Sequence, residues 1–448
     1  MLNPQQPTQT HLEFVTLEEL VPQDHLLRKV DQVIDFSFIH DLVKDLYCSN
    51  NGRPALDPTV LFKMLILGYL MGIRSERQLI KEIEVNVAYR WFLHFGLTDK
   101  IPDASTISQN RRRRFQDSTV YQEIFDQIVL QAIQKGLVKG EVLYTDSTHL
   151  KASANKNKHR RALVKVSVQG YLSELDQAVK EDRHAHGKKS LKPKATTECE
   201  LKEIKQSTTD SDSGYMTREG KPQGFFYLDH RTCDKQANII TDVHVTSAAI
   251  HDSVPYLERL ERQTKRFGFE VHSVGLDAGY MSAHICHSLE QQNIYSVIGY
   301  RRPTHRKGYF YKRQFHYDSE KDHYICPMDQ VLSYKTTSRE GYRHYQSNPK
   351  QCLSCEKRSQ CTQNAKAIKT LTRHVWEEAK EAVDQHRLTE YGKKIYARRK
   401  ETVERSFADA KQLHGYRYAR FRGLEKVKSQ CLLTAAAQNI KKLALLCA

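Results

Sequence analysis

The chain has 448 residues, with 70 Lys and Arg against 53 Asp and Glu, a formal net charge of +17 at pH 7. With 27% charged and 39% hydrophobic residues, 12 Pro and 20 Gly, the composition excludes low-complexity and collagen-like classes and is long enough for about three structural units with real cores. The longest apolar run, 64–71, is far short of the ~20 residues a membrane helix needs, and the start carries no export signal, which predicts a soluble, unexported protein whose basic surplus suits a polyanion.

Ten Cys in a chain of this length are too dilute for a disulfide scaffold and fit a reducing compartment. The first 140 residues predict helices. Asp57-Pro58 is an N-cap followed by Pro at the first helical position, and Val60, Leu61, Met64, Leu65, Leu67 and Leu70 supply a mostly apolar helix. Ser75-x-x-Gln78 opens a second helix to about Glu84, and a third, over 87–95, ends at Gly96. Pro102-Asp103-Ala-Ser-Thr106 caps a fourth, which runs into Arg111, Arg112, Arg113 and Arg114. Short helices joined by tight turns, one carrying four successive Arg, suit a helix-turn-helix DNA-binding unit; a helical domain with a solvated basic face is the alternative.

The pattern changes after Gly140. A strand over 141–146 closes on Asp146, and residues 165–220 read as a basic, irregular insertion with one helix over 172–181 and a Lys-rich stretch over 188–194. Strands follow at 224–228 and 238–245, a helix over 254–267, then a strand over 271–277 that closes on Asp277. A short helix over 282–291 and a strand over 294–298 complete an α/β alternation, in which chemistry collects at strand ends. Regularity breaks from Arg301 to about Lys369. One long helix is predicted over 383–413 and a last one over 424–446.

Three acids stand out. Asp146 and Asp277 each end a strand, and Glu404 sits on a helix whose other charges are mostly positive, with Lys400 and Lys411 at −4 and +7 on the same face. Carboxylates from two strands and a helix can hold two Mg²⁺ ions about 3.5–4 Å apart for in-line phosphoryl transfer. Taken singly, each has an ordinary reading, as a turn residue or half of a surface ion pair.

The pieces Tyr-Thr-Asp146-Ser-Thr-His-Leu-Lys151, Val-Gly-Leu-Asp277-Ala-Gly-Tyr and Glu401-Thr-Val-Glu404-Arg-Ser-Phe-Ala-Asp-Ala-Lys411 resemble, in matching order, the catalytic blocks of bacterial insertion-sequence DDE transposases. The run Gly415-Tyr-Arg-Tyr-Ala-Arg420-Phe-Arg422-Gly423 is also typical of them, and the helical start resembles the DNA-binding domain of one large branch. The resemblance implies a ribonuclease-H-like α/β core (a mixed sheet flanked by helices) with an all-α N-terminal domain and a small cysteine-containing insertion. It further implies two Mg²⁺ or Mn²⁺ ions and cleavage and joining of double-stranded DNA at terminal inverted repeats. Many relatives show Tyr-x2-Arg-x3-Glu-x6-Lys around the last acid. Here Glu404-x6-Lys411 fits, while Tyr396-x2-Arg399 is shifted by one residue, and Glu401 has Ala408 where a Lys would stand.

The expected domains are 1–138, helical and DNA-binding; 139–300, the first part of the core; 301–380, the cysteine insertion; and 381–448, the helices that complete the core. Expected DNA contacts are Arg111, Arg112, Arg113, Arg114, Lys151, Arg399, Lys400, Arg405, Lys411, Arg420 and Arg422. Cys326, Cys352, Cys355 and Cys361 have the spacing C-x25-C-x2-C-x5-C, whose inner pair suits a metal knuckle, so a structural Zn²⁺ is one reading and four coincidental reduced cysteines the other. A homodimer on two DNA ends is expected in the bacterial cytoplasm at the nucleoid, with target DNA as a second partner, no membrane and no nucleoside triphosphate, since no Gly-x4-Gly-Lys-Ser/Thr loop is present. A ribonuclease-H-like nuclease without transposition and a non-enzymatic zinc-containing DNA-binding protein are the alternatives. The basic surplus concentrates in 151–161, 301–313 and 387–426, close to the proposed acids.

Overall fold

The computed structural model describes residues 13–48, 55–116, 118–167, 172–192, 199–217, 220, 222–302 and 306–448. Part of the Lys-rich stretch, 193–194, therefore lies outside the described residues. Every described element from 17 to 134 is helical. In the helix Pro58–Leu70, Asp57 Oδ1 accepts from Thr59 N at 2.7 Å and Pro58 takes the first position, where no N–H is needed. This helix is apolar nearly all round and buried accordingly; even Lys63 is enclosed, its Nζ 2.7 Å from Asp31 Oδ1 and 4.6 Å from the centre of the Phe92 ring. Ser75 and Asp103 cap the helices Glu76–Val85 and Ala104–Arg113 through their side chains.

An eight-stranded mixed sheet follows, formed by β1 (Val142–Lys151), β2 (His159–Ser167), β3 (Cys199–Ser207), β4 (Gly214–Met216), β5 (Gly224–Asp234), β6 (Ile240–Ser247), β7 (Ser273–Leu276) and β8 (Tyr295–Ile298). Its order is β2-β3-β4-β5-β1-β7-β8, with β6 also paired to β5. β5 runs antiparallel to β1, β4 and β6, whereas β7 is parallel to β1 and to β8. The parallel pairs need crossovers, supplied by the helices Tyr256–Phe267 and Ala283–Gln291. Two expectations change here. β1 continues past Asp146 to Lys151, and the stretch 165–220 contributes the end of β2 together with β3 and β4 beside its helix Leu172–Ala185. The first three pairs of β2 with β3, His159–Ser207, Arg160–Gln206 and Arg161–Lys205, are polar, and Ala162–Ile204 is the first apolar pair, so the hairpin begins without an apolar signal.

The closing helix Leu424–Cys447 lies against β6 and against the helices Leu26–Val33, Pro58–Leu70 and Val120–Gln134, so that one continuous apolar core joins the N-terminal helices to the sheet. The predicted helix over 383–413 is three helices, Glu377–His386, Glu390–Arg398 and Val403–Leu413. The first break is fixed by Thr389, whose hydroxyl accepts from Gly392 N at 2.9 Å. Between 301 and 374 lies a second, antiparallel sheet in the order β13-β12-β11-β10-β9, formed by β9 (His316–Asp318), β10 (His323–Ile325), β11 (Val331–Thr337), β12 (Tyr342–Ser347) and β13 (Thr370–His374). Its core is small: Phe315, Tyr324, Leu332, Tyr345 and Leu371. The helix Leu172–Ala185 docks on it through Asp182, which accepts from Arg343 Nε at 2.6 Å, and the adjacent His186 meets Asp322 at 2.6 Å. Among the described residues no helix is long and apolar enough to cross a membrane.

Candidate active site

The register of β1 with β7 sets the first two acids. Tyr144 pairs with Gly275 and Thr145 with Leu276, so the next step along each strand brings Asp146 beside Asp277 where β7 ends. Gly275 is required for this approach, since a Cβ there would lie 2.7 Å from the Tyr144 ring. Backbone amides then hold the carboxylates: Asp146 Oδ1 accepts from Ser147 N at 2.7 Å and Asp277 Oδ1 from Ala278 N at 2.6 Å.

Glu404 opens the helix Val403–Leu413, which turns Val403, Ser406, Phe407 and Ala410 inward. The break before it matters. Arg399 lies in the turn between helices, held by the buried Thr402, whose hydroxyl donates to Arg398 O at 3.0 Å. On one continuous helix, residues 399 and 404 would face different sides. In the turn, Arg399 reaches all three acids: Nη2 donates to Asp146 Oδ2 at 2.8 Å, and Nη1 lies 4.0 Å from Asp277 Oδ1 and 3.7 Å from Glu404 Oε1. The guanidinium is buried, whereas the side chains of Asp277 and Glu404 are about half exposed. Asp146 is the most enclosed of the three acids; burial pushes its carboxyl up to about 6, against the pull of the Arg399 charge and the Ser147 amide, with Asp277 and Glu404 adding to the rise.

The remaining basic residues divide. Lys411 Nζ donates to Thr148 Oγ1 at 2.6 Å, joining the far end of this helix to β1. Lys400 lies in the turn and not on the helix of Glu404, so the single basic stripe expected there is absent. Arg405 pairs with Asp409 at 2.9 Å. Lys151, Arg420 and Arg422 gather where the segment after Gly415 runs beside the end of β1: Ala419 N donates to Lys151 O at 2.8 Å and Arg422 Nε to Ser153 O at 3.1 Å. Arg111, Arg112, Arg113 and Arg114 are apart from the acids; Arg111 pairs with Glu76 and stacks on Phe421, Arg114 stacks on Tyr47, and Arg112 and Arg113 are exposed.

Sequence reasoning missed the support beneath the site. Arg231 stands opposite Asp146 in the β1–β5 pairing and is fully buried, with Nε on Asp229 Oδ2 at 2.8 Å and Nη1 on Gln438 Oε1 at 2.6 Å. Tyr416 OH donates to the same Asp229 oxygen at 2.8 Å, and the guanidinium lies 5.1 Å from both the Phe407 and Tyr416 rings. Breaking such a buried pair on one side costs about 3–5 kcal/mol. The run Asp229-His-Arg231-Thr232 is polar and follows the strand predicted over 224–228, so no apolar pattern pointed to it.

The donors fit a hard divalent cation: three carboxylates surround a single guanidinium, which leaves negative charge uncompensated. Among the described residues, no group of three or more His, Cys, Asp or Glu side chains is disposed to hold a metal directly; at the acids, Arg399 occupies the place between them. Cys326, Cys352, Cys355 and Cys361 line one apolar cavity, and Cys326 Sγ accepts from Met328 N and Gln330 N at 3.3 Å each. They do not close into the expected four-sulfur zinc site among the described residues.

Residues 15–113 match a transposase domain (DUF772), and residues 325–444, which include Glu404 and the four cysteines, match a transposase DDE domain. The two matches support a DDE transposase of the insertion-sequence type. Asp146 and Asp277 of this transposase lie outside both matched spans. It is also similar to a piggyBac transposase solved by cryo-electron microscopy as a synaptic complex with hairpin DNA, at 11% identity over 94% of this chain and 78% of that one, with a TM-score of 0.34. No curated protein matches the chain.

Proposed function

We propose that this transposase binds the terminal inverted repeats of an insertion sequence, cuts a DNA strand there and joins the freed end to target DNA. The observation that carries the reading is the convergence of Asp146, Asp277 and Glu404, from β1, β7 and the helix Val403–Leu413, on one point marked by Arg399. The strand order β6-β5-β1-β7-β8, with β5 antiparallel and β7 parallel to β1, supports a ribonuclease-H-like core.

Asp146, Asp277 and Glu404 are the residues that would hold Mg²⁺ or Mn²⁺, which when bound supplies charge that activates the attacking oxygen and offsets charge on the leaving one. The side chains around them set up the rest. Ser147 N and Ala278 N fix the two Asp carboxylates, and Lys411 places positive charge next to Thr148, two residues along β1 from Asp146. In the first reaction, water oxygen bonds to phosphorus as the P–O3′ bond breaks, leaving a 3′-hydroxyl. In the second, that hydroxyl oxygen bonds to a target phosphorus as its own P–O3′ bond breaks. One phosphodiester replaces another, so no nucleoside triphosphate is consumed. Two copies bring two element ends together, and the bacterial nucleoid supplies the DNA.

The test is incubation with Mg²⁺ and labelled DNA that carries the chain's own flanking repeats. Cutting at the repeat boundary is the expected result. Cutting without regard to the repeats would make the protein a nuclease instead.

A further inference from the structure

A cleft of about 910 Å³ opens between the helices Glu76–Val85 and Ala104–Arg113, with none of the three carboxylates in its lining, and the turn Arg420-Phe421 forms part of its wall. Six cations line it: Arg74, Arg77, Lys81, Arg111, Arg112 and Arg420. Of its three acids, Glu76 is paired with Arg111 and Asp103 caps its own helix by accepting from Ser105 N at 2.7 Å. Arg77 and Lys81 are four apart on one helix, and Ser108 and Arg112 four apart on the other, so each pair shares a helix face. The result is two rows of donors flanking a groove, rather than one point of charge.

Two buried polar atoms in this cleft have no partner in the protein. Tyr121 is only 4% exposed, yet its hydroxyl has no hydrogen-bond partner, and the Nε of Arg420 is in the same condition. An orphaned buried hydroxyl is destabilising, a penalty that a ligand accepting its hydrogen bond would remove. Arg420 lies with its guanidinium 4.3 Å from the centre of the Tyr69 ring, and Arg111 with its own 4.2 Å from the centre of the Phe421 ring. Stacking fixes both planes while leaving N–H edges for an acceptor.

We infer that this cleft binds phosphodiester groups of a nucleic-acid backbone, with the Tyr121 hydroxyl and the Arg420 guanidinium as donors on its floor. The inference rests on the reading of the chain as a protein that acts on DNA, and it assigns one shared site to two segments distant in sequence, the N-terminal helices and the turn after Gly415. That turn also bonds to β1 through Ala419 N and Lys151 O at 2.8 Å, five residues along the strand from Asp146. A backbone held in the cleft is thereby held relative to the carboxylates.

The experiment uses the full chain, a fluorescent DNA duplex read by anisotropy over a salt series, and the variants Tyr121→Phe and Arg420→Gln. Tyr121→Phe removes an unpartnered hydroxyl, so without DNA it melts at the same or a higher temperature than the parent; with DNA it binds roughly tenfold more weakly, the loss of one hydrogen bond to a charged group. Arg420→Gln weakens binding as well and reduces the slope of log affinity against log salt by about 1. Duplex affinity and slope unchanged in both variants overturn the inference, and they do so even if inorganic phosphate stabilises the parent and not the variants, which would assign the cleft to a free anion. Strand cutting by Asp277→Asn is measured alongside: if that variant still cuts, the catalytic assignment fails while the cleft is judged by the affinities alone.

Discussion

Arg399 is the residue on which the site turns. It is buried, it donates to Asp146 and it lies within 4.0 Å of the other two acids, so it acts as an internal counter-cation for a cluster that would otherwise repel itself. Arg399→Gln should lower the melting temperature of metal-free protein, by about 2–4 kcal/mol of stability, and the added stabilisation by Mg²⁺ should then exceed that of the parent, because a competitor has gone. Equal Mg²⁺ stabilisation in both would speak against this role. The Asp146 carboxyl has the opposite sign from a salt-bridged acid. Its folded value of about 6 lies above the ordinary 3.8, so the folded state keeps a proton that the unfolded chain releases between those values. Stability is therefore lost as pH rises through that window, and above it the ionised carboxylate costs on the order of 1–3 kcal/mol. Metal-free Asp146→Asn should melt higher than the parent near neutral pH, with the difference vanishing below the ordinary carboxylate range; a lower melting temperature at neutral pH would contradict the assignment.

Among the elements, the meeting of the turn after Pro58–Leu70 with the end of Val403–Leu413 ties the N-terminal helices to the helix of Glu404. Gly72 has φ +69° and a Cβ there would lie 2.6 Å from Leu413 O, while His414 Nδ1 is 2.9 Å from Tyr69 O. Gly72→Ala should lower the urea midpoint by about 1–3 kcal/mol of stability, from a strained backbone and a clash that neither carbonyl nor turn can yield to; an unchanged midpoint would show that the contact opens freely. Elements with local chemical signals were legible in the sequence. Asp57-Pro58, Ser75 and Asp103 cap helices at those positions, and the parallel strand that ends before Asp277 is a short apolar run. What escaped was decided by distant partners. The hairpin of β2 and β3 begins with three polar cross-strand pairs, and the break at 399–402 brings Arg399 to acids 253 and 122 residues away in β1 and after β7. No helix propensity in the segment records that.

At the scale of the whole molecule, the N-terminal helices and the sheet share one core through Leu424–Cys447, and several histidines are buried within the fold. Burial lowers His244 and His374 to about 4, and it holds His230, enclosed near Arg259 and His244, well below its ordinary value of 6.5. These groups stay neutral in the folded protein while the unfolded chain takes up protons, so the stability they contribute is full above about 6.5 and is lost as pH falls toward 4. Acidification through that range should lower the melting temperature in a single transition that carries helix and sheet signals together. Separate transitions, or a melting temperature that rises with acid, would contradict a shared core with buried neutral histidines.

The convergence of three acids, one of them chosen over a near neighbour, is also a property of the assembled molecule. Glu401 is exposed in the turn and its carbonyl accepts from Asn238 Nδ2 at 3.1 Å, whereas Glu404 faces the guanidinium shared with Asp146 and Asp277. The most direct measurement is Mg²⁺-dependent cutting of DNA bearing the chain's own terminal repeats by Asp146→Asn, Asp277→Asn, Glu404→Gln and Glu401→Gln, each checked by its melting temperature. Loss of cutting in the first three variants with retention in Glu401→Gln is the predicted result; cutting by Glu404→Gln, with loss in Glu401→Gln, would contradict it.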